Sequence, residues 1–217
     1  MVRYELDHLT QAPAQYVIGP IQDDEALFLF ALVRGSRMTR VLEIGGLNGY
    51  SATNFLAAMR TVHPDGAEGV MYTVDTQPVA QMAPNHRVIQ KDALHLAPED
   101  VDGRPVDLVF FDCHSMAQMD MYERFAASGI IDERTVLALH DTNLHYEPWG
   151  LRQGPHVHQP SVGASGFAHQ PVERAMVNRF SALGYDVFHL RTTPNRHHDG
   201  FPFRHGLTVC QKHEDLV

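Results

Sequence analysis

Residues 41–51 have the sequence VLEIGGLNGYS, in which an apolar segment passes through a glycine-rich turn into a second apolar segment. The first part is typical of a buried strand, and the pattern over residues 50–59 predicts a helix. Gly45, Gly46 and Gly49 permit backbone angles and close approaches that a side chain would block. Because such a turn leaves backbone N–H groups pointing outward, the stretch predicts a cradle for a ligand.

Two familiar phosphate-binding cradles do not fit this stretch. The P-loop requires Lys followed by Ser or Thr after its last glycine, whereas Tyr50 and Ser51 follow here. The dinucleotide fingerprint requires Gly-x-Gly-x-x-Gly, and the glycines at 45, 46 and 49 have a different spacing. The remaining pattern is Glu-x-Gly-x-x-x-Gly, for which an ordinary strand–helix turn is the alternative interpretation.

Composition limits the class of protein. The chain has 217 residues, 44% of them hydrophobic, which is enough for one α/β domain with a full core. A net charge of -9 argues against nucleic acid as the main partner. Two cysteines are too few for a disulfide framework, and we find neither a membrane span nor a signal peptide in the sequence. We therefore expect a cytoplasmic protein without a membrane partner.

Apolar strands that alternate with helices predict a parallel sheet covered on both faces. The strands are predicted at 41–44, 69–75, 87–92, 106–112 and 135–141, and the helices at 21–33, 50–60, 117–127 and 172–183. Residues 185–190 and 206–211 predict a terminal hairpin with one antiparallel member. Residues 1–20 have little periodicity, so we interpret them as an N-terminal arm.

Four of these strands end in an acid, namely Asp75, Asp92, Asp112 and Asp141. The carboxyl ends of parallel strands share one edge of the sheet, which is where open α/β sheets bind ligands. A helix N-cap is the alternative role for any single one of these aspartates. Their common position beside the glycine turn favours a binding site.

The order of these motifs resembles the class I S-adenosylmethionine (SAM) dependent methyltransferases along nearly the whole chain. Within that class it looks most like the small catechol- and caffeoyl-CoA-type O-methyltransferases and related bacterial natural-product enzymes. The matching motifs are Glu43-Ile44-Gly45 with Gly49-Tyr50-Ser51, Phe111-Asp112 with Tyr122-Glu123-Arg124, and His140-Asp141-Thr142-Asn143. The resemblance implies one domain over 1–217 with a Rossmann-like three-layer sandwich. Its seven-stranded sheet is expected to be mostly parallel with an antiparallel C-terminal strand.

The resemblance also implies SAM as the cofactor and assigns residues to it. The backbone at Gly45 and Gly46 would pass under the methionine part, and Asp75 would accept both ribose hydroxyls. Glu43 would act on the turn backbone or the methionine ammonium, and Ser51 would contact the carboxylate. The other cofactor-binding residues implied are Tyr50, Thr76, Gln77, Asp92, Ala93 and Asp112.

A divalent metal is a further implication of the resemblance. Asp112, Asp141 and Asn143 offer hard oxygen ligands that suit Mg²⁺ or another divalent cation. However, Thr142 is inserted between the acid and the amide of the family's Asp-Asn motif. The alternative is that Asp112 and Asp141 belong to a hydrogen-bond network under the pocket.

An O-acceptor needs a base or a metal to remove its proton. In this branch a lysine three residues after the metal aspartate is the base, whereas this chain has Ser115 there. Histidine has a suitable pKa, so we expect His140 to be the base, with His114 and His145 as further candidates. A structural or surface histidine is the alternative for each. The long stretch 143–171 leaves the same edge and predicts a lid over the acceptor.

The sequence therefore predicts a SAM-dependent O-methyltransferase acting on a small hydroxylated metabolite in secondary metabolism. The alternatives are an N-methyltransferase and a metal-binding SAM-fold protein without transferase activity. The arm and the C-terminal tail are candidate elements of a homodimer. Acceptor pockets in this fold are built from loops, so the sequence does not identify the acceptor.

Overall fold

The computed structural model describes residues 21, 23–62, 69–113, 117–140, 142, 172–190 and 206–212. The predicted arm and the predicted lid lie outside the described residues. So do four residues predicted for the site, namely His114, Asp141, Asn143 and His145.

The described residues form one seven-stranded sheet with helices on both sides. The strands are β1 (Arg40–Ile44), β2 (Val70–Asp75), β3 (His86–Gln90), β4 (Leu108–Phe111), β5 (Val136–His140), β6 (Tyr185–Leu190) and β7 (Leu207–Lys212). The helices are α1 (Asp23–Gly35), α2 (Tyr50–Arg60), α3 (Gln118–Ser128) and α4 (Val172–Ala182). Two short 3₁₀ helices, Ala93–His95 and Pro98–Val101, follow β3.

The strand order is β3-β2-β1-β4-β5-β7-β6. Strands β1 to β5 pair in parallel, and β7 lies antiparallel between β5 and β6. This arrangement confirms the predicted mostly parallel sheet with an antiparallel C-terminal strand.

Two apolar cores lie on opposite faces of the sheet, because successive side chains of a strand point to opposite sides. One face carries Leu42, Val109 and Leu137 under α3 and α4. The other carries Val41, Leu108 and Val136 under α1 and α2. Every residue of β1, β4 and β5 is buried, which explains why these strands appear in the sequence as continuous apolar runs. The three-layer architecture predicted from the sequence is therefore confirmed.

The central strands end at one level. Ile44 pairs with Phe111, and Phe111 pairs with Leu139. Gly45, Asp112 and His140 consequently lie side by side at the carboxyl edge of the sheet. Three predicted strand ends were too late: β4 ends at Phe111 and β5 at His140, each one residue early, and β3 ends at Gln90, two residues before Asp92.

Among the described residues, no helix combines the length and apolar character that a membrane crossing requires.

Candidate active site

The glycine turn after β1 is shaped by its neighbours as well as by its own flexibility. Gly45 has a φ of 94°, and a Cβ built there would collide with the backbone carbonyl of Asp112. Its N–H donates to the carbonyl of Val74 at 2.9 Å, and the N–H of Asp112 donates to the carbonyl of Ile44 at 2.9 Å. The turn is therefore fixed between β2 and the end of β4.

The other two glycines admit a segment that follows β2. A Cβ on Gly46 would collide with Thr73 and crowd Val79, and one on Gly49 would collide with Met82. Gly49 has a φ of 71° and precedes α2 as its N-cap. Gly46 is therefore required by packing against Thr73, whereas glycine at 49 is favoured by its left-handed φ, since the flexible end of Met82 can move.

Asp75, the last residue of β2, faces the turn. One carboxylate oxygen accepts hydrogen bonds from the N–H groups of Gly46 at 2.9 Å and Leu47 at 3.3 Å. The other accepts from the N–H of Gln77 at 2.8 Å. Thr76 and Gln77 are exposed beside it. The structure thus brings together the turn and the residues predicted to bind the ribose and adenosine, whose cofactor role stays a prediction.

Glu43 lies under the turn and is fully buried. Its carboxylate accepts hydrogen bonds from the hydroxyls of Ser51 and Thr73, the second at 2.7 Å. Burial raises the pKa of Glu43 to about 7 against the lowering effect of these two hydrogen bonds, and the negative charges of Asp112 and Asp75 raise it further. The Ser51 hydroxyl donates inward to Glu43, and its contact with the cofactor carboxylate stays a prediction.

His86 extends this network. Its Nε2 lies 2.8 Å from the hydroxyl of Thr73, and its Nδ1 accepts a 3.0 Å hydrogen bond from the N–H of Met82. The Met82 bond requires an unprotonated Nδ1, so the ring donates from Nε2 to Thr73. Burial lowers the pKa of His86, which favours this neutral form. The sequence analysis did not single out Thr73 or His86.

His140 lies between two carboxylates at the same edge. Its Nδ1 is 3.0 Å from an oxygen of Asp112, and its Nε2 is 3.3 Å from an oxygen of Glu25. Glu25 is fully buried and His140 is 1% exposed. His140 is therefore beside Asp112, as the sequence predicted, but it is held inside the protein. Its role as the base stays a prediction.

The remaining predicted cofactor residues are dispersed around the edge. Asp92 accepts a 3.0 Å hydrogen bond from the N–H of Leu94 and caps a short 3₁₀ helix, which is the capping alternative considered for it. Ala93 is buried in the core under α3 and α4. Tyr50 is half-buried and packs against the opposite core.

Only one of the three predicted metal ligands, Asp112, lies among the described residues. Asp112 supplies hard oxygens, 16% of its side chain is exposed, and one oxygen already faces His140. Asp141 and Asn143 lie outside the described residues. Within the described ranges no cluster of three or more His, Cys, Asp or Glu side chains could hold a metal ion. The donor chemistry of Asp112 fits Mg²⁺, but the described part does not form a metal centre by itself.

Comparison with known protein families matches this region. Residues 42–142 match the family model described as a methyltransferase domain. This range begins in β1 and includes the glycine turn, Asp75, Asp112 and His140. No protein of curated function matches the chain.

Solved structures with the same architecture include methyltransferases of low sequence identity to this chain. The SAH-bound methyltransferase PaMTH1 from Podospora anserina has 14% identity and a TM-score of 0.62, with 96% of this chain and 87% of that chain covered. A putative caffeoyl-CoA O-methyltransferase from Staphylococcus aureus has 15% identity and a TM-score of 0.60, with coverage of 90% and 86%. The SAM-bound O-methyltransferase TomG from Streptomyces achromogenes, involved in tomaymycin synthesis, has 20% identity and a TM-score of 0.53, with coverage of 89% and 81%.

The strand order, the glycine turn and the family match point to one class of protein. Residues 42–142 match a methyltransferase domain, and the chain has the Rossmann-like fold of the SAM- and SAH-bound methyltransferases among its structural neighbours. Its fold is that of the O-methyltransferases among its structural neighbours.

Proposed function

We propose that this chain is a SAM-dependent O-methyltransferase that methylates a hydroxyl group of a small metabolite in natural-product biosynthesis. The observation that carries the proposal is the meeting of the glycine turn, Asp75 and the Asp112–His140 pair at one sheet edge. Support for the biosynthetic context comes from the fold shared with TomG, whose own role is in tomaymycin synthesis.

In this proposal the cofactor lies over the glycine turn. The Gly45 and Gly46 backbone would support its methionine part, while Asp75, beside Thr76 and Gln77, would accept the ribose hydroxyls. Asp75 suits this role because a carboxylate can accept two hydroxyl hydrogen bonds at once. Glu43 would support the turn from below, since both of its oxygens are engaged by Ser51 and Thr73.

Methyl transfer from a sulfonium is an in-line displacement. The acceptor oxygen forms a bond to the methyl carbon as the carbon–sulfur bond breaks, and the acceptor proton passes to a base. Asp112 lies next to Gly45 and therefore next to the expected position of the reacting methyl group. His140 is our proposed base, with His114 and His145 as the other candidates at this edge.

We also propose assistance by Mg²⁺ or another divalent cation held by Asp112, Asp141 and Asn143. A bound divalent cation would lower the pKa of an acceptor hydroxyl. Loss of turnover in EDTA, with recovery on addition of Mg²⁺, is the expected result. Full turnover in EDTA would remove the metal from the proposal and would favour an N-acceptor.

The decisive experiment is calorimetric titration with S-adenosylhomocysteine (SAH), with and without Mg²⁺. Micromolar binding is the expected result and would be followed by a panel of phenols, sugars and amines incubated with SAM. No binding under either condition would remove the transferase proposal. Binding without methyl transfer to any acceptor would favour a SAM-fold protein that lacks transferase activity.

The remaining features of the proposal concern the whole chain. We propose a single cytoplasmic domain that forms a homodimer, with residues 1–20 and the C-terminal tail as interface elements. Light scattering after size exclusion tests the dimer, and deletion of residues 1–20 tests the arm.

A further inference from the structure

We propose that Glu25 is a positioning residue of the active site. It holds His140 from the side opposite to Asp112, and through His140 it fixes the orientation of the Asp112 carboxylate. This inference rests on the proposed function, because Asp112 and His140 are placed there at the reacting edge.

The contacts form a continuous bridge from a helix to the sheet edge. Glu25 belongs to the first turn of α1, His140 is the last residue of β5, and Asp112 follows β4. One ring nitrogen of His140 is 3.0 Å from Asp112, and the other is 3.3 Å from Glu25, which is an ion-pair distance. Both ring nitrogens therefore face carboxylates that come from different elements.

Electrostatics give the bridge its rigidity. His140 Nδ1 lies at hydrogen-bond distance from Asp112, whereas Nε2 approaches Glu25 at an ion-pair distance. Glu25 and His140 are almost fully buried, and their close approach pairs them, because an unpaired buried charge is strongly unfavourable.

The helix itself does not require Glu25 at this position. An acid in a first turn interacts favourably with the helix dipole, but it can do so from the surface. Asp24 already accepts a 3.0 Å hydrogen bond from the N–H of Glu25. Glu25 instead lies on the buried stripe with Leu29 and Val33, one and two turns further along α1. A buried carboxylate on this stripe is explained by its partner His140.

The consequence is that α1 sets the geometry of the active site. Without Glu25 the His140 ring can turn, and the Asp112 oxygen that it holds loses a fixed partner. Catalysis depends steeply on such placement, and a displacement of about 1 Å can cost on the order of a hundredfold in rate. We therefore expect a loss in kcat rather than in acceptor binding.

The test compares Glu25→Leu, Glu25→Gln and Asn54→Ala in the full chain. Leucine removes the polar carboxylate, whereas glutamine keeps the shape and a polar oxygen and removes only the charge. Asn54 is a matched control, since its buried side chain joins α2 to α1 by a 2.9 Å hydrogen bond from Nδ2 to the carbonyl of Ala26.

The first readout is ¹⁵N NMR of the histidine rings, with the His140 signals identified by their loss in His140→Gln. We expect both ring nitrogens of His140 to shift in Glu25→Leu and to stay in place in Asn54→Ala. The second readout is steady-state kinetics with an acceptor from the panel. We expect kcat to fall at least tenfold in Glu25→Leu, with acceptor KM within about twofold, and partial recovery in Glu25→Gln.

Unchanged His140 signals and unchanged kcat in a folded Glu25→Leu variant would overturn the inference. If Glu25→Leu does not fold, the same measurements are made on Glu25→Gln. His140 signals and a kcat equal to those of the wild type would then overturn the inference. An equal loss of kcat in Asn54→Ala would also overturn the inference, because weaker packing of α1 as a whole would then explain the effect. Failure of the proposed function is distinct: the wild type would not bind SAH, while the NMR readout would still report on the bridge.

Discussion

The backbone N–H of Gly46 donates a 2.9 Å hydrogen bond to the carboxylate of Asp75, so the end of β2 holds the glycine turn that follows β1. The same carboxylate also accepts from the N–H groups of Leu47 and Gln77. Asp75 thus shapes the turn before any ligand arrives. A cofactor hydroxyl that reaches this carboxylate would meet an acceptor whose position is already fixed.

Replacing Asp75 by alanine is expected to weaken SAH binding by roughly tenfold to a hundredfold. Hydrogen bonds to a charged partner contribute about 1.5–3 kcal/mol, and each 1.4 kcal/mol is about a factor of ten in affinity. Calorimetric titration of both proteins with SAH measures the change.

Asp107→Ala is the matched control for this substitution. Asp107 also accepts backbone hydrogen bonds, from Thr39 at 2.7 Å and Arg40 at 3.0 Å, but at the opposite edge of the sheet. We expect Asp107→Ala to be less stable than the wild type and to bind SAH with unchanged affinity. Unchanged affinity in Asp75→Ala, or an equal loss in both variants, would show that the cofactor is placed wrongly.

Gly45→Ala is expected to destabilise the protein and to abolish SAH binding. A left-handed backbone costs an alanine about 1–2 kcal/mol, and displacement of the Asp112 backbone adds about 1–3 kcal/mol. Gly129→Ala is the control, because Gly129 has a φ of 78° but a Cβ there meets nothing within 4 Å. Urea unfolding should show the larger loss for Gly45→Ala, and equal losses would contradict the packing argument.

Glu43 should make stability depend on pH. Because its pKa is raised to about 7 in the folded protein from an ordinary 4.5, the folded state favours the neutral carboxyl. This contribution is complete below pH 4.5 and is lost as the pH rises through about 7. The pKa difference corresponds to roughly 3 kcal/mol.

Glu43→Gln removes the titrating group and keeps its shape. The free energy of unfolding of the wild type relative to this variant should decrease between pH 4.5 and pH 7.5, measured by urea unfolding at a series of pH values. A difference that stays constant over this range would show that Glu43 titrates normally.

Much of the fold could be predicted from the sequence because its signals are local. The apolar runs of β1, β4 and β5 reflect burial on both faces, and the glycine turn has a distinctive spacing. The end of β3 could not be placed from the sequence, because the residues at 91 and 92 continue its pattern while their backbone turns into a 3₁₀ helix capped by Asp92.

The site was harder to predict because its contacts join distant parts of the chain. Glu25 was not singled out from the sequence, although its spacing to Leu29 and Val33 places it on the buried stripe of α1. The Thr73–His86 link had no sequence signal, since it depends on the register in which β2 pairs with β3. Sequence reasoning therefore found the residues at strand ends and missed their buried partners.

His140→Gln should lower kcat at saturating SAM and acceptor by about a hundredfold or more, since a general base typically contributes 10²–10⁴-fold. His189→Gln is the control, because it makes the same substitution on β6, where the His189 ring lies 2.7 Å from the hydroxyl of Thr208. Wild-type kcat in a folded His140→Gln variant would remove His140 as the base and direct attention to His114 and His145.

His86→Phe should destabilise the protein by about 1–3 kcal/mol and weaken SAH binding severalfold. The substitution removes the hydrogen bonds to Thr73 and to the N–H of Met82, and Met82 packs against Gly49 in the glycine turn. Hydrogen exchange at the Met82 amide should accelerate. His95→Phe is the control, because His95 is exposed in the 3₁₀ helix after β3.

The contribution of His86 to stability should depend on pH in the opposite direction to the contribution of Glu43. Burial lowers the pKa of His86 in the folded protein below its ordinary 6.5, so its contribution to stability is complete above pH 6.5. It is lost as the pH falls through the lowered value, because a protonated Nδ1 cannot accept from Met82. The stability difference between the wild type and His86→Phe should therefore shrink in acid, and a difference that grows in acid would contradict the neutral Nε2–H form.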